Sequence, residues 1–235
     1  MRYMGSKGRH AKSLVPILMD GHSASAWYVE PFCGGGNILA HVPSALKWGN
    51  DTAIYAVALL GALSEGWMPP ENISNEEYIA VKAAPNNYAP EYVGFVGYCC
   101  SYAGKLWGGF ARGQDSKGRP RNYAAEQVRY LRKQAAGLSG CRFSTMDYRL
   151  MDIPSGATVY MDPPYADTTK YSGSTFDTNE FWKTCRTLSD RCRVFVSEYA
   201  APTGWECMWE KGAASSLTKN TGKIKAVERL FRRAA

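Results

Sequence analysis

Apolar positions along this chain fall into two kinds of run. Short, nearly continuous ones occupy residues 26–29, 45–50, 142–145, 157–161 and 192–197. They are rich in Val, Phe, Tyr and Trp and are too short for helices, so they predict strands buried on both faces. Longer runs with apolar residues at helical spacing occupy residues 7–19, 52–66, 91–102, 122–137 and 176–188. Ser6 before the first, with Gly21 just beyond it, and Asn122 before the fourth are N-cap and stop signals, and Pro16 predicts a bend. Ser74-Asn75-Glu76-Glu77 is a capping box opening a further short helix that stops before Pro85. Strands alternating with helices predict an α/β fold with a parallel sheet covered on both faces. Two last runs, 206–210 and 223–232, predict an antiparallel pair at the sheet edge.

The alternation breaks between residues 68 and 137. There the stretch 105–120 is rich in Gly and Arg and loses all periodicity, and Asp115-Ser116-Lys117-Gly118 predicts the turn of a protruding loop. The expected organisation is one catalytic domain, residues 1–67 and 138–235, carrying an inserted module at 68–137.

Charge sharpens this picture. The 235 residues carry a formal net charge of +7, which suggests an anionic partner. The excess is local: Lys105, Arg112, Lys117, Arg119, Arg121, Arg129, Arg132 and Lys133 face only Asp115 and Glu126. The 7 cysteines include no CxxC pair, and the 3 histidines make no ligand pattern with them, so neither a disulfide framework nor a metal site is expected. No run approaches the roughly 18 apolar residues of a membrane span. The first residues lead into no apolar signal core, so a cytoplasmic location is expected.

Candidate chemistry sits where strands end. The 157–161 run stops at Asp162-Pro163-Pro164-Tyr165. Two prolines cannot donate to a strand ladder, so this stretch is a stiff turn presenting a carboxylate and a ring. In open α/β sheets the carboxyl ends of strands are where ligands bind. The 26–29 run leads into Glu30-Pro31-Phe32-Cys33-Gly34-Gly35-Gly36-Asn37. Its glycines let backbone approach a ligand closely, with helix N–H groups of 38–40 facing it. About 20 residues on, Asp51 ends the next strand, where an acidic side chain receives ribose hydroxyls and also suits a helix cap.

In this order, from Tyr3-Met4-Gly5-Ser6-Lys7 through the glycine loop, Asp51, Asp147 and Asp162-Pro163-Pro164-Tyr165, the chain resembles the Dam-like alpha group (D12 class) of DNA adenine-N6 methyltransferases, with an insertion like that of phage members. The resemblance covers nearly the whole chain. It implies a Rossmann-like class I fold, S-adenosylmethionine as cofactor and DNA as partner, with no metal. It also implies a cofactor site formed by Tyr3, Lys7, Glu30, Pro31, Phe32, Cys33, Gly34, Gly35, Gly36, Asn37, Asp51, Asp147, Tyr148 and Asp162. Within that site Glu30 and Lys7 would face the methionine amino and carboxylate groups, Asp51 the ribose, and Asp147 the adenine amine. Asp162, Pro163, Pro164 and Tyr165 would be catalytic. The carboxylate and the Pro163 carbonyl would accept the N–H groups of an extruded adenine, and Tyr165 would stack on the base.

Lys105, Trp107, Arg112, Lys117, Arg119 and Arg121 are the candidate DNA contacts, the cations for phosphate or guanine and the ring, with Phe110 and Tyr123, for wedging or packing. Cytosine-N4 methylation, and a DNA-binding protein without catalysis on the same fold, stay open as alternatives.

Overall fold

The structure is a computed structural model that describes residues 1–164, 176–212 and 227–234. Among the described residues its centre is a seven-stranded sheet in the order β3-β2-β1-β4-β5-β7-β6. The strands are β1 (Tyr28–Glu30), β2 (Lys47–Asn50), β3 (Arg142–Ser144), β4 (Thr158–Met161), β5 (Arg193–Glu198), β6 (Trp205–Gly212) and β7 (Val227–Arg233). β1 pairs in parallel with β2 and β4, β2 with β3, and β4 with β5, whereas β7 runs antiparallel to both β5 and β6. The expected antiparallel pair therefore forms, but β7 is inserted beside β5 and only β6 is at the edge. Residues 223–226 of that expected run lie outside the described residues.

Side chains alternate across the sheet as the two-residue period of a strand requires. Tyr28, Tyr160 and Phe195 point to one face, where they pack with Leu14 and Leu18 of α1 (Ala11–Met19) and with Leu59, Leu60 and Leu63 of α2 (Ile54–Ser64). Val29, Val159, Met161, Val194 and Val196 point to the other, against Phe181, Cys185 and Leu188 of α6 (Thr178–Ser189) and against Met151 and Ile153. Asp177 caps α6, its side chain accepting the N–H groups of Asn179 and Glu180.

Residues 68–137 share this core. They form α3 (Asn75–Ala83), α4 (Pro90–Gly94) and all but the last residue of α5 (Tyr123–Leu138). Tyr78, Val81, Val93, Val128 and Leu131 belong to the same apolar cluster as α1 and α2. The helices approach closely: a Cβ on Gly94 would lie 2.1 Å from the carbonyl oxygen of Tyr55, and one on Gly137 would lie 1.9 Å from that of Ala40. This explains why α2 is apolar nearly all round, since it is enclosed by the sheet, α4 and α5.

Two helix expectations are corrected. The first helix starts at Ala11 after a 3-10 turn, Gly8–His10, and Ser6 Oγ accepts the Gly8 N–H at 3.1 Å instead of capping α1. The 91–102 run is α-helical only to Gly94 and continues as a π-turn, Phe95–Cys99. The Gly97 carbonyl is turned to other donors, the Trp107 N–H at 3.1 Å and the Ser101 hydroxyl at 2.6 Å.

Candidate active site

β1, β2 and β3 progress to one side of the sheet and the chain then crosses to β4 on the other. In open α/β sheets a ligand binds at such a reversal, beyond the carboxyl ends of the strands, here those of β1 and β4. Glu30 is the last residue of β1, Asp162 follows β4, and Asp51 follows β2. Lys7 enters from the amino-terminal segment, its Nζ 3.1 Å from Oδ1 of Asp162, with the two side chains 7% and 19% exposed.

Glu30 is fully enclosed and accepts a hydrogen bond from the Tyr28 hydroxyl at 2.9 Å. Burial pushes its carboxyl up to about 8. The Tyr28 bond works against that rise and the nearby Asp162 charge adds to it. The Asp51 carboxylate receives the N–H groups of Gly34 at 2.8 Å and Ala53 at 3.0 Å. Burial raises its pKa as well, while these backbone bonds oppose the rise. Asp51 thus ties the glycine loop to the start of α2.

The glycine loop is arranged differently from the expectation. Gly34 and Gly36 have φ of +49° and +62°, which side chains rarely adopt. However, the space left by the absent Cβ atoms is taken by the chain itself: a Cβ at Gly34 or Gly35 would lie 2.8 or 2.7 Å from Tyr3, and one at Gly36 would lie 3.0 Å from Leu60. After the loop comes a single 3-10 turn, Leu39–His41, in place of the expected α-helix.

Residues 1–7 lie across this loop. Asn37 donates to the Met1 carbonyl and to Ser6 Oγ, Gln134 donates to the Gly35 carbonyl, and the Met4 N–H reaches the Gly104 carbonyl at 3.1 Å. Tyr3 packs on Tyr98 with ring centres 5.2 Å apart. Cys33 is a buried thiol whose backbone N–H bonds the Asn50 carbonyl, and Pro31 is buried beside it.

Asp147 caps a 3-10 turn, Tyr148–Leu150, and its carboxylate is held by the Arg149 guanidinium at 2.5 and 2.8 Å. Arg149 keeps it below the usual carboxylate range and also reaches Glu180 at 2.7 Å. Phe32 and Tyr148 contact each other, ring centres 5.0 Å apart, and both pack on Phe181.

Sequence reasoning missed Asn50. Its amide donates to the carbonyls of Pro31 at 3.1 Å and Met146 at 3.0 Å and accepts from the Met146 N–H at 3.1 Å, stapling together the segments after β1 and β3. The available signal was a polar side chain closing an apolar strand. At the catalytic turn, Pro163 is buried and Pro164 exposed, and Tyr165 lies outside the described residues.

Of the candidate DNA contacts, Lys105, Arg112, Lys117, Arg119 and Arg121 are exposed. Arg119 pairs with Asp115 at 2.8 Å, and Arg121 pairs with Glu126 while lying 4.5 Å over the Tyr123 ring. Trp107 is spent on packing: its ring sits 5.6 Å from that of Tyr78, as does Phe110.

Among the described residues no group of three or more His, Cys, Asp or Glu side chains could hold a metal ion, and no helix is long and apolar enough to cross a membrane. A parallel sheet with this strand order, closed by an inserted antiparallel β7 and carrying acids at the ends of β1, β2 and β4, is a Rossmann-like fold of the methyltransferase class. The family model for the D12 class N6 adenine-specific DNA methyltransferases matches residues 3–204, from Tyr3 past the Asp-Pro-Pro turn, and the chain belongs to that family. The family's reaction is methylation of adenine N6 in DNA with S-adenosylmethionine as methyl donor.

No curated protein matches the chain. Among solved structures, yhhF from Escherichia coli, provisionally called a methyltransferase, is 12% identical at a TM-score of 0.40, covering 98% of this chain and 87% of that one. SMU.472, also provisionally called a methyltransferase and complexed with SAH, is 10% identical at 0.38, covering 97% and 52%. At these scores the likeness adds nothing to what the strand order and the family establish.

Proposed function

We propose that the carboxyl ends of β1 and β4 bind S-adenosylmethionine and that Asp162 and the Pro163 carbonyl receive the amino group of an adenine extruded from DNA. The donor set fits this cofactor. Glu30, Asp51 and Asp162 are carboxylates in partly or wholly buried places, and burial is the chief cause that raises the first two; a ligand carrying an ammonium and a sulfonium is complementary to them. Bound there, S-adenosylmethionine supplies an electrophilic methyl group.

The chain's own residues do the rest by positioning. An adenine amine is a poor nucleophile because its lone pair is delocalised into the ring. Two acceptors, the carboxylate of Asp162 and the carbonyl of Pro163, each taking one N–H, favour a pyramidal nitrogen that would present its lone pair to the methyl carbon; as the N–C bond formed, the sulfonium–methyl bond would break to leave S-adenosylhomocysteine, and one N–H proton would pass to solvent. Consecutive prolines keep these acceptors from moving. Asp51 receives the ribose hydroxyls while its backbone bonds hold it in place, and Phe32 and Tyr148 offer apolar surface to the adenine ring. The exposed cations Lys105, Arg112, Lys117, Arg119 and Arg121 face the phosphates or guanines, with residues 68–137 as the module that carries them. The protein acts in the cytoplasm, where DNA is reached directly.

The single observation that carries this reading is the placement of Glu30, Asp51 and Asp162 at the carboxyl ends of β1, β2 and β4, on the two sides of the topological switch point, in a chain of this family. Titration calorimetry with S-adenosylhomocysteine tests it. Asp51→Ala should abolish measurable binding, whereas Asp162→Ala should bind but transfer methyl groups about 10²–10³-fold more slowly; equal binding by Asp51→Ala would refute the cofactor assignment.

A further inference from the structure

We infer that Lys7 is the positioning residue of the catalytic carboxylate: its ammonium fixes the orientation of Asp162 and keeps it ionised to receive the amine. This rests on the function proposed above and departs from the role the resemblance implies for Lys7, which is a contact to the cofactor's own carboxylate.

Geometry comes first. Lys7 is almost wholly buried, and its Nζ lies 3.1 Å from Asp162 Oδ1 and 3.4 Å from the Gly5 carbonyl. Its backbone is held on several sides. Ser6 is bonded by Asn37 at 2.7 Å, the Ser6 N–H reaches the Tyr3 carbonyl at 3.2 Å, and the His10 N–H reaches the Lys7 carbonyl at 2.7 Å. The ammonium is therefore delivered from a fixed point, and a long side chain that would otherwise sample many rotamers is enclosed. Such an arrangement suits a group that orients a partner.

Electrostatics gives the reason for a cation there. The Asp162 carboxylate shares its surroundings with Glu30 and Tyr28 of β1 and with Tyr160 of β4, each of which feels its charge. Burial and the Asp162 charge raise these acids, so they stay protonated beside it and none of them supplies a balancing positive charge. Lys47 of β2 acts on Glu30, and Lys7 is the cation paired with Asp162. Chemistry gives the consequence. An ionised carboxylate accepts the N–H of an amine, whereas a protonated one would present its own O–H and lose an acceptor site. An ammonium beside Asp162 also weakens it as a resting place for the proton lost on methylation, which passes to water.

The test compares Lys7→Met and Lys7→Arg with the unmutated protein in three measurements. The turnover number at saturating cofactor should fall by about 100-fold in Lys7→Met and recover to within about tenfold in Lys7→Arg, in line with removal of one preorganised electrostatic interaction. Affinity for S-adenosylhomocysteine should stay within about threefold in both variants, because the ammonium bonds Asp162 and not the cofactor. In the cofactor-free protein, the side-chain carboxyl carbon of Asp162, assigned with Asp162→Asn, should titrate at a clearly higher pH in Lys7→Met.

Unchanged turnover with affinity for S-adenosylhomocysteine lowered tenfold or more would overturn the inference and return Lys7 to the cofactor. If the unmutated protein transferred no methyl group to DNA, the proposed function would fail. The carboxyl titration would still decide the Lys7 role, an unmoved midpoint overturning it. Should Lys7→Met not fold, Lys7→Gln carries the same three readings.

Discussion

Two regions hold the charges that matter, and they hold them differently. At the end of β4, Lys7 and Asp162 form a largely buried pair at 3.1 Å, with Glu30 enclosed nearby. In the 105–121 loop, Arg119 and Arg121 are exposed and pair with Asp115 and Glu126, within a few residues of themselves. A buried charge is costly unless compensated, so its partner and position are narrowly constrained. An exposed pair contributes little to stability and is readily exchanged for another anion. The first region is built for fixed geometry, and the second can surrender its internal partners to phosphates.

The largest expected effect lies on the buried side. Asp162→Ala should lower methyl transfer by about 10²–10³-fold, as removal of a preorganised polar group does, and should also lower the melting temperature, because it leaves the Lys7 ammonium buried without its partner. A loss under tenfold would erase the contrast between the two regions.

Next comes the close packing that connects the 68–137 segment to the core. Gly94→Ala would drive a Cβ to 2.1 Å from the Tyr55 carbonyl oxygen, and overpacking of this kind costs about 1–3 kcal/mol. Chemical denaturation should show that loss as a single cooperative transition. Unaltered stability would mean that α4 can separate from α2.

Glu30 gives a pH signature of burial. Its carboxyl rises from 4.5 to about 8 on folding, chiefly through burial. Between those values the folded protein keeps a proton that the unfolded chain has released. Its contribution to stability is therefore fully present at low pH and is lost as pH rises through this window. Glu30→Gln, which retains an acceptor for Tyr28, should flatten the pH dependence, gaining on the unmutated protein by on the order of 1 kcal/mol or more near pH 8. Parallel stability profiles for the two proteins would contradict it.

The smallest effects belong to the loop. Replacing Arg112 and Lys117 together by Gln should lower the slope of log affinity for DNA against log salt by about 2 if both touch phosphate. Arg119→Gln and Arg121→Gln should each change it less, because each cation must first leave its carboxylate. An unchanged slope in the double variant would remove the loop from the DNA interface.

The sequence made the sheet legible because strands buried on both faces must be apolar, and the Asp-Pro-Pro turn legible because two prolines cannot continue a strand. The acids at strand ends followed from the same logic. What could not be read was which distant segment fills which space. The triple glycine is compatible with a ligand or with another part of the chain, and only the fold reveals Tyr3 and Met1 against it. Lys7 carries no local mark of its partner 155 residues away, and Asn50 looks like an ordinary strand-end residue until its bonds to Pro31 and Met146 are seen. The helix at 91–102 failed for a similar reason. Its apolar spacing is helical, but Gly97 is drawn to donors from residues 101 and 107.

The most direct test of the central claim is nucleoside mass spectrometry of unmethylated DNA incubated with the purified protein and methyl-labelled S-adenosylmethionine. Label appearing in N6-methyldeoxyadenosine with the unmutated chain, and lowered about 10²–10³-fold with Asp162→Ala, is the predicted result. Label in N4-methyldeoxycytidine, or DNA bound without any label, would contradict it.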